Sequence, residues 1–193
     1  MELLVATIAV SIIMLGVVSI DQALRQSHKS TSRNSLVSMR SSAIMLNITK
    51  TAQEATGDKL NKGIYDEASM LSTHSVANTL CIRKEAAVPT PGDYTDDSWV
   101  CYTQNTFDLR MCTFPSPQLP QACGASAGTS IGQVVGIDSS WVDTPGSTGS
   151  GSFYLEVTIT NRYDPAAAKD TFDNPEIILT TRISPPALGS SME

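Results

Sequence analysis

Four cysteines, Cys81, Cys101, Cys112 and Cys123, fall in one stretch of the chain, and none lies in the first 80 residues. Their spacing contains no CxxC, and both histidines, His28 and His74, lie outside the segment, so zinc is a poor fit. Two disulfides are expected instead, which points to an oxidising compartment such as a periplasm or a cell surface. Three connectivities are open. The one favoured joins sequence neighbours, Cys81 with Cys101 and Cys112 with Cys123.

The remaining candidates for chemistry are mostly acidic. Asp93, Asp96 and Asp97 in GDYTDDS, and Asp164, Asp170, Asp173 and Glu176 in RYDPAAAKDTFDNPE, offer the oxygen ligands that calcium takes, but not at EF-hand spacing. Solvated turns are the simpler reading, and no cofactor is expected. Neither histidine has a Ser or Cys motif beside it, so no nucleophile and base pair is predicted and the chain is not read as an enzyme. GASAGTSIG lacks the Lys of a phosphate loop and reads as a Ser/Gly linker. The sequon Asn47-Ile48-Thr49 falls within a predicted helix and is discounted. Trp99 and Trp141 are expected to pack in the core or on a sheet face.

Glu2 is a different case, because it stands directly before an apolar run. From Leu3 to Ile20 no residue carries a charge, and only Thr7, Ser11 and Ser19 are polar. That length suits a helix crossing a bilayer core. A cleavable secretory signal fits poorly, since its head should be basic and a small-x-small cleavage site should follow. Basic residues come only after the run, at Arg25, Lys29 and Arg33, in four-residue steps along one helical face. Anionic lipid head groups could meet that stripe, and a plain solvated face is the alternative.

Past Ile20 the sequence has no Pro or Gly until Gly57. Val37, Ile44, Ile48, Ala52 and Ala55 gather on one helical face, so the second half is amphipathic. One helix is predicted over residues 1–56, capped by Gly57 and about 80 Å long at about 1.5 Å per residue. Residues 1–20 form its membrane or bundle half and 21–56 its amphipathic half. Gly16 is the interior position where unwinding would cost least.

Residues 57–193 carry the strand patterns. These are HSVANTLCIRKE, DSWVCYTQ, TFDLRMCTF, GQVVGIDSSWVDT, SFYLEVTITNRYD and EIILTTRIS. KLNKGIYDEAS reads as loop with a short helical turn, and Asn105-Thr106 as a hairpin turn. The fold class expected is α+β, with an antiparallel sheet packed on the helical face from Val37 to Ala55. Formal net charge is -6, yet the first 50 residues hold five bases against two acids. The acidic remainder makes nucleic acid an unsuitable partner for the globular part.

A carboxylate heading an uncharged helix of about twenty residues, then an amphipathic half, then a disulfide-bearing β-rich head, resembles the type IV pilin and pseudopilin family. ELLVATIAVSIIMLGVVSI, Glu2 to Ile20, is similar to that family's N-terminal methylation segment. In strand order the chain also resembles PilW-type minor pilins and the J-type pseudopilins of type II secretion. The resemblance implies cleavage of a short basic leader upstream of the glutamate, with the natural chain beginning before Met1. It implies a pilin-like fold and a bacterial filament subunit, a minor pilin above a major one or a pseudopilin. Glu2 would pair with a neighbour's amino terminus, and Leu3, Leu4, Ile8, Ile12, Ile13 and Leu15 would pack against other pilin subunits. Further implied partners are the inner membrane before assembly and the pilus assembly machinery, with the head then in an extracellular or periplasmic filament. A carboxylate in an apolar bundle is costly alone and tolerable beside a cation. The simpler reading of Glu2 is a terminal acid at the water interface of a monomeric, membrane-anchored binding protein.

Overall fold

The computed structural model describes residues 2–57, 63–65, 79–86, 93–116, 118, 120–143, 153–170 and 172–184. A single helix, α1, runs from Glu2 to Gln53. Eight strands follow: β1 (Ile64–Tyr65), β2 (Thr79–Lys84), β3 (Ser98–Asn105), β4 (Asp108–Phe114), β5 (Thr129–Gln133), β6 (Gly136–Asp143), β7 (Phe153–Arg162) and β8 (Glu176–Ile183). The class is therefore α+β, with a long N-terminal helix, antiparallel sheets and two disulfides.

The periodicity that predicted the helical face holds in the structure. Val37, Ile44, Ile48, Ala52 and Ala55 are all buried, joined by Met45. Ser41 is buried in the same stripe, and its hydroxyl donates to the Val37 carbonyl at 2.9 Å, so its polar group needs no partner on the head. α1 passes unbroken through Gly16, but it stops short of the expected cap. Ala55 bridges to Lys84 and the Thr56 N–H donates to the Arg83 carbonyl. Pairing with β2 gives these backbone groups partners while Ala55 drops into the core, so Gly57 caps nothing.

The single sheet expected is in fact two, with strand orders β1-β2-β3-β4-β5 and β6-β7-β8. GQVVGIDSSWVDT, read as one strand, divides between them. The Val134 N–H donates to the Phe107 carbonyl of the first sheet and the Val135 N–H to the Thr160 carbonyl of the second. The Gln104 amide completes this corner, donating to the Val135 carbonyl and accepting from the Ile137 N–H. The end of GASAGTSIG is not linker but part of β5, and Ile64–Tyr65 form a short strand where a helical turn was expected. The hairpin turn sits one residue later than expected, at Thr106-Phe107, with Thr106 at φ 56°. Asn105 stays in β3, opposite Asp108.

Both sheets share one core beneath α1. Leu80, Ile82, Tyr102 and Leu109 come from the first sheet and Leu155, Val157 and Ile159 from the second, all against Ile44, Ile48 and Ala52. Alternation along β7 puts Leu155, Val157 and Ile159 on the inner face, each burial contributing about 1.5–3 kcal/mol. Gly132 lets β5 lie close to the helix, since a Cβ there would stand 2.8 Å from the Ile44 Cδ1.

Candidate functional site

Among the described residues, the head covers no side chain of α1 from Val5 to Ile20. Ile8 is 52% exposed, Ile12 and Ile13 65% and Leu15 69%, and Val5, Val10, Val17, Val18, Ile20 and Leu24 are exposed as well. Glu2, Leu3 and Leu4 lie on the helical backbone, and their side chains fall outside the described residues. The polar interruptions are turned inward to the backbone, Ser11 Oγ donating to the Thr7 carbonyl at 2.8 Å and Ser19 Oγ to the Leu15 carbonyl. These hydroxyls are therefore satisfied without water, and an apolar cylinder remains. It is long and apolar enough to cross a membrane, and none of the apolar window is buried. A helix apolar on every side requires a partner on every side, either lipid or other helices.

The basic stripe is engaged within the chain rather than left free. Arg25 pairs with Asp21 one turn earlier at 2.8 Å. Lys29 and Arg33 both reach Asp173 in the β7–β8 loop, at 3.1 Å and 2.9 Å, and Arg33 also stacks over Tyr163 at 4.7 Å from the ring centre. Asp173 thus sits between two of the cations that were read as facing either anionic lipid or solvent.

The acidic side chains of the same loop are engaged with the loop's own backbone and cations. Asp164 accepts from the Ala166 N–H and Asp170 from the N–H groups of Phe172 and Asp173, which hold the Asp170 carboxyl below its ordinary range. Asp173 turns away to the helix. The loop centre is held by Asn174, whose amide donates to the carbonyls of Asp164, Ala167 and Ala168 while its Oδ1 accepts from the Asp164 N–H. Glu176 is fixed by Lys169 and Arg162, which lower its pKa. In the other acidic loop, Asp93 accepts from Thr95, while Asp97 is buried and accepts from Thr56 and Ala86. Among the described residues no three His, Cys, Asp or Glu side chains converge as a metal site.

The cysteines sit on the far face of the first sheet. Cys81, Cys101 and Cys112 are in register across β2, β3 and β4. The bonds join Cys81 to Cys101 and Cys112 to Cys123, the favoured connectivity. Trp99 packs with Cys81, Cys101 and Phe114 in a second small core, and the Arg83 guanidinium lies over Trp99 and Tyr94. The Cys112–Cys123 bond ties the chain at Cys123 to this face, and the Cys123 N–H donates to the Thr103 hydroxyl. Trp141 has its side chain outside the described residues, as does all of His74. His28 is an exposed residue of α1.

Two functional groupings had no sequence signal strong enough to find them. Tyr102, buried in β3, donates to Asn47 Oδ1 at 2.7 Å and lies 2.7 Å from Thr51 Oγ1, fastening helix to sheet; burial pushes its phenol above the usual value. Asn47 and Thr51 sit one turn apart beside the apolar face, and that was the only hint. A groove of about 390 Å³ also opens between α1 and the head, lined by Leu36, Arg40, Phe107, Gln133 and Tyr163 among others. Comparison of the chain with family models, with curated proteins and with solved structures finds no match.

Proposed function

We propose that this chain is a structural subunit of a type IV pilus-like filament, a minor pilin by preference, that assembles through its N-terminal helix. The observation that carries the reading is the division of α1: the head covers one face of the second half, and the side chains from Val5 to Ile20 are exposed around the whole circumference. Lipid meets that need before assembly and the helices of other subunits meet it afterwards. Glu2 then selects a neighbour's positive charge and sets the register. The disulfides stabilise a head working outside the cytoplasm. A major filament subunit or a type II secretion pseudopilin would place the same demands on the helix.

A second reading, a monomeric membrane-anchored extracytoplasmic binding protein, is favoured by the groove beside Arg40 and Tyr163. Mass spectrometry of the protein from a sheared surface fraction of its native cells separates the two. A processed, methylated amino terminus upstream of Glu2 supports the filament. An unprocessed chain confined to membranes supports the anchor. Glu2→Ala and Glu2→Gln sharpen the test, because both should abolish assembly with the head folded if Glu2 pairs with a neighbour.

A further inference from the structure

The β7–β8 loop does not stay on the head. Its tip lies along α1, held there by the pairs of Asp173 with Lys29 and Arg33 and by the stack of Arg33 on Tyr163. Asp170 organises the turn, accepting from the N–H groups of Phe172 and Asp173 at 2.8 Å each. Phe172 is therefore presented on a built turn. It is 57% exposed, and it shares a shallow cavity of about 310 Å³ with Ala23, Gln26, Ser27, Ser30 and Thr31. A large apolar ring placed this way contributes little to the core of the head.

Its height along the helix points to what covers it. Ile20 ends the apolar run, and at about 1.5 Å per residue Ala23 lies about 4.5 Å beyond it and Thr31 about 16.5 Å. The head-group layer on each side of the hydrocarbon core is about 5–8 Å deep. With Leu3 to Ile20 in the hydrocarbon, the cavity that Phe172 shares with α1 opens within the head-group layer at Ala23 and rises beyond it, and aromatic side chains settle in that layer.

We infer that Phe172 and its turn are a membrane-interface contact that seats the head on the lipid surface. The inference rests on the reading that the apolar half of α1 lies in a bilayer before assembly. Arg25, Lys29 and Arg33 are already paired with Asp21 and Asp173. The contact is made by the ring, and these three cations against two carboxylates leave one positive charge beside it. With α1 it gives the head two points of attachment, which fixes its tilt on the membrane.

The test places the full chain in nanodiscs of phosphatidylcholine brominated either near the head group or near the chain end. Phe172→Trp reports the turn, Ile12→Trp reports the centre of the apolar run, and the unsubstituted protein gives the baseline from Trp99 and Trp141. Ile12→Trp should be quenched most by the deep bromines and Phe172→Trp by the shallow ones. Quenching of Ile12→Trp with Phe172→Trp at baseline overturns the interface contact and leaves the membrane reading standing. If neither is quenched, the membrane reading fails and takes the contact with it. Phe172→Trp emission that ignores bromine but shifts with the protein-to-lipid ratio means a second copy covers the ring, which also overturns the inference.

Discussion

Replacing Ile48 with Ala removes a side chain that is 0% exposed and packs against both sheets, whereas Leu46, two residues away, is 71% exposed on the opposite face. The buried truncation should cost about 2–5 kcal/mol, the lost transfer energy plus a cavity that the sheets cannot fully close. Higher helix propensity of Ala returns about 0.4 kcal/mol of this. With a net loss near 3 kcal/mol and a urea slope of about 2 kcal/mol/M, the unfolding midpoint should fall by about 1.5 M. Leu46→Ala should stay within about 0.5 kcal/mol, a shift of about 0.25 M. The assay is urea titration of the full chain in mild detergent, followed by emission from Trp99 and Trp141, of which Trp99 is buried in the head. Equal shifts for the two variants would refute the reasoning, because they would mean that α1 is not seated on the sheets through the Ile48 face.

Tyr102→Phe should cost about 1–2 kcal/mol in the same titration, since it leaves Asn47 Oδ1 without its donor. Tyr102 has its pKa raised by burial, so its share of stability is present below the ordinary phenol value and lost as pH rises through the folded value; spectrophotometric titration should find one phenol that ionises late. Glu176 has its pKa lowered by Lys169 and Arg162, so its contribution is present above the ordinary carboxylate range and lost as pH falls through the folded value. Thermal melts should show this acid loss flattened in Glu176→Gln. Gly128→Ala should destabilise the head, because φ is +72° and a Cβ would stand 2.4 Å from both the Cys112 Sγ and the Met111 carbonyl oxygen; a melt of this variant unchanged from the parent would contradict that packing. Peptide mapping without reduction should recover Cys81 linked to Cys101 and Cys112 linked to Cys123.

What could be read from the sequence followed from local periodicity. The face from Val37 to Ala55 repeats at helical spacing, and burial on one side of a helix is what that spacing encodes. Cysteine pairing was accessible only through closeness in sequence, because register sets Cys101 opposite both Cys81 and Cys112 and Cys123 lies outside the strands. The split at Val134 was hidden, since both valines suit a strand and only bonds to Phe107 and Thr160 assign them to different sheets. Lys29 and Arg33 were visible as a stripe, but their counter-charge lies 144 and 140 residues away in sequence. Asn174 likewise gave no sign that its amide would hold the centre of the acidic loop, because its partners are set by the closed loop rather than by spacing.

The most direct test of assembly through the exposed helix is photo-cross-linking from Ile12 in native cells, with a benzophenone amino acid in its place and the sheared surface fraction recovered afterwards. Adducts to the helical segment of another pilin subunit, lost with Glu2→Ala, are the expected result. Adducts to lipid alone, with no cross-linked subunit in the sheared fraction, would contradict the filament and leave a membrane-anchored monomer.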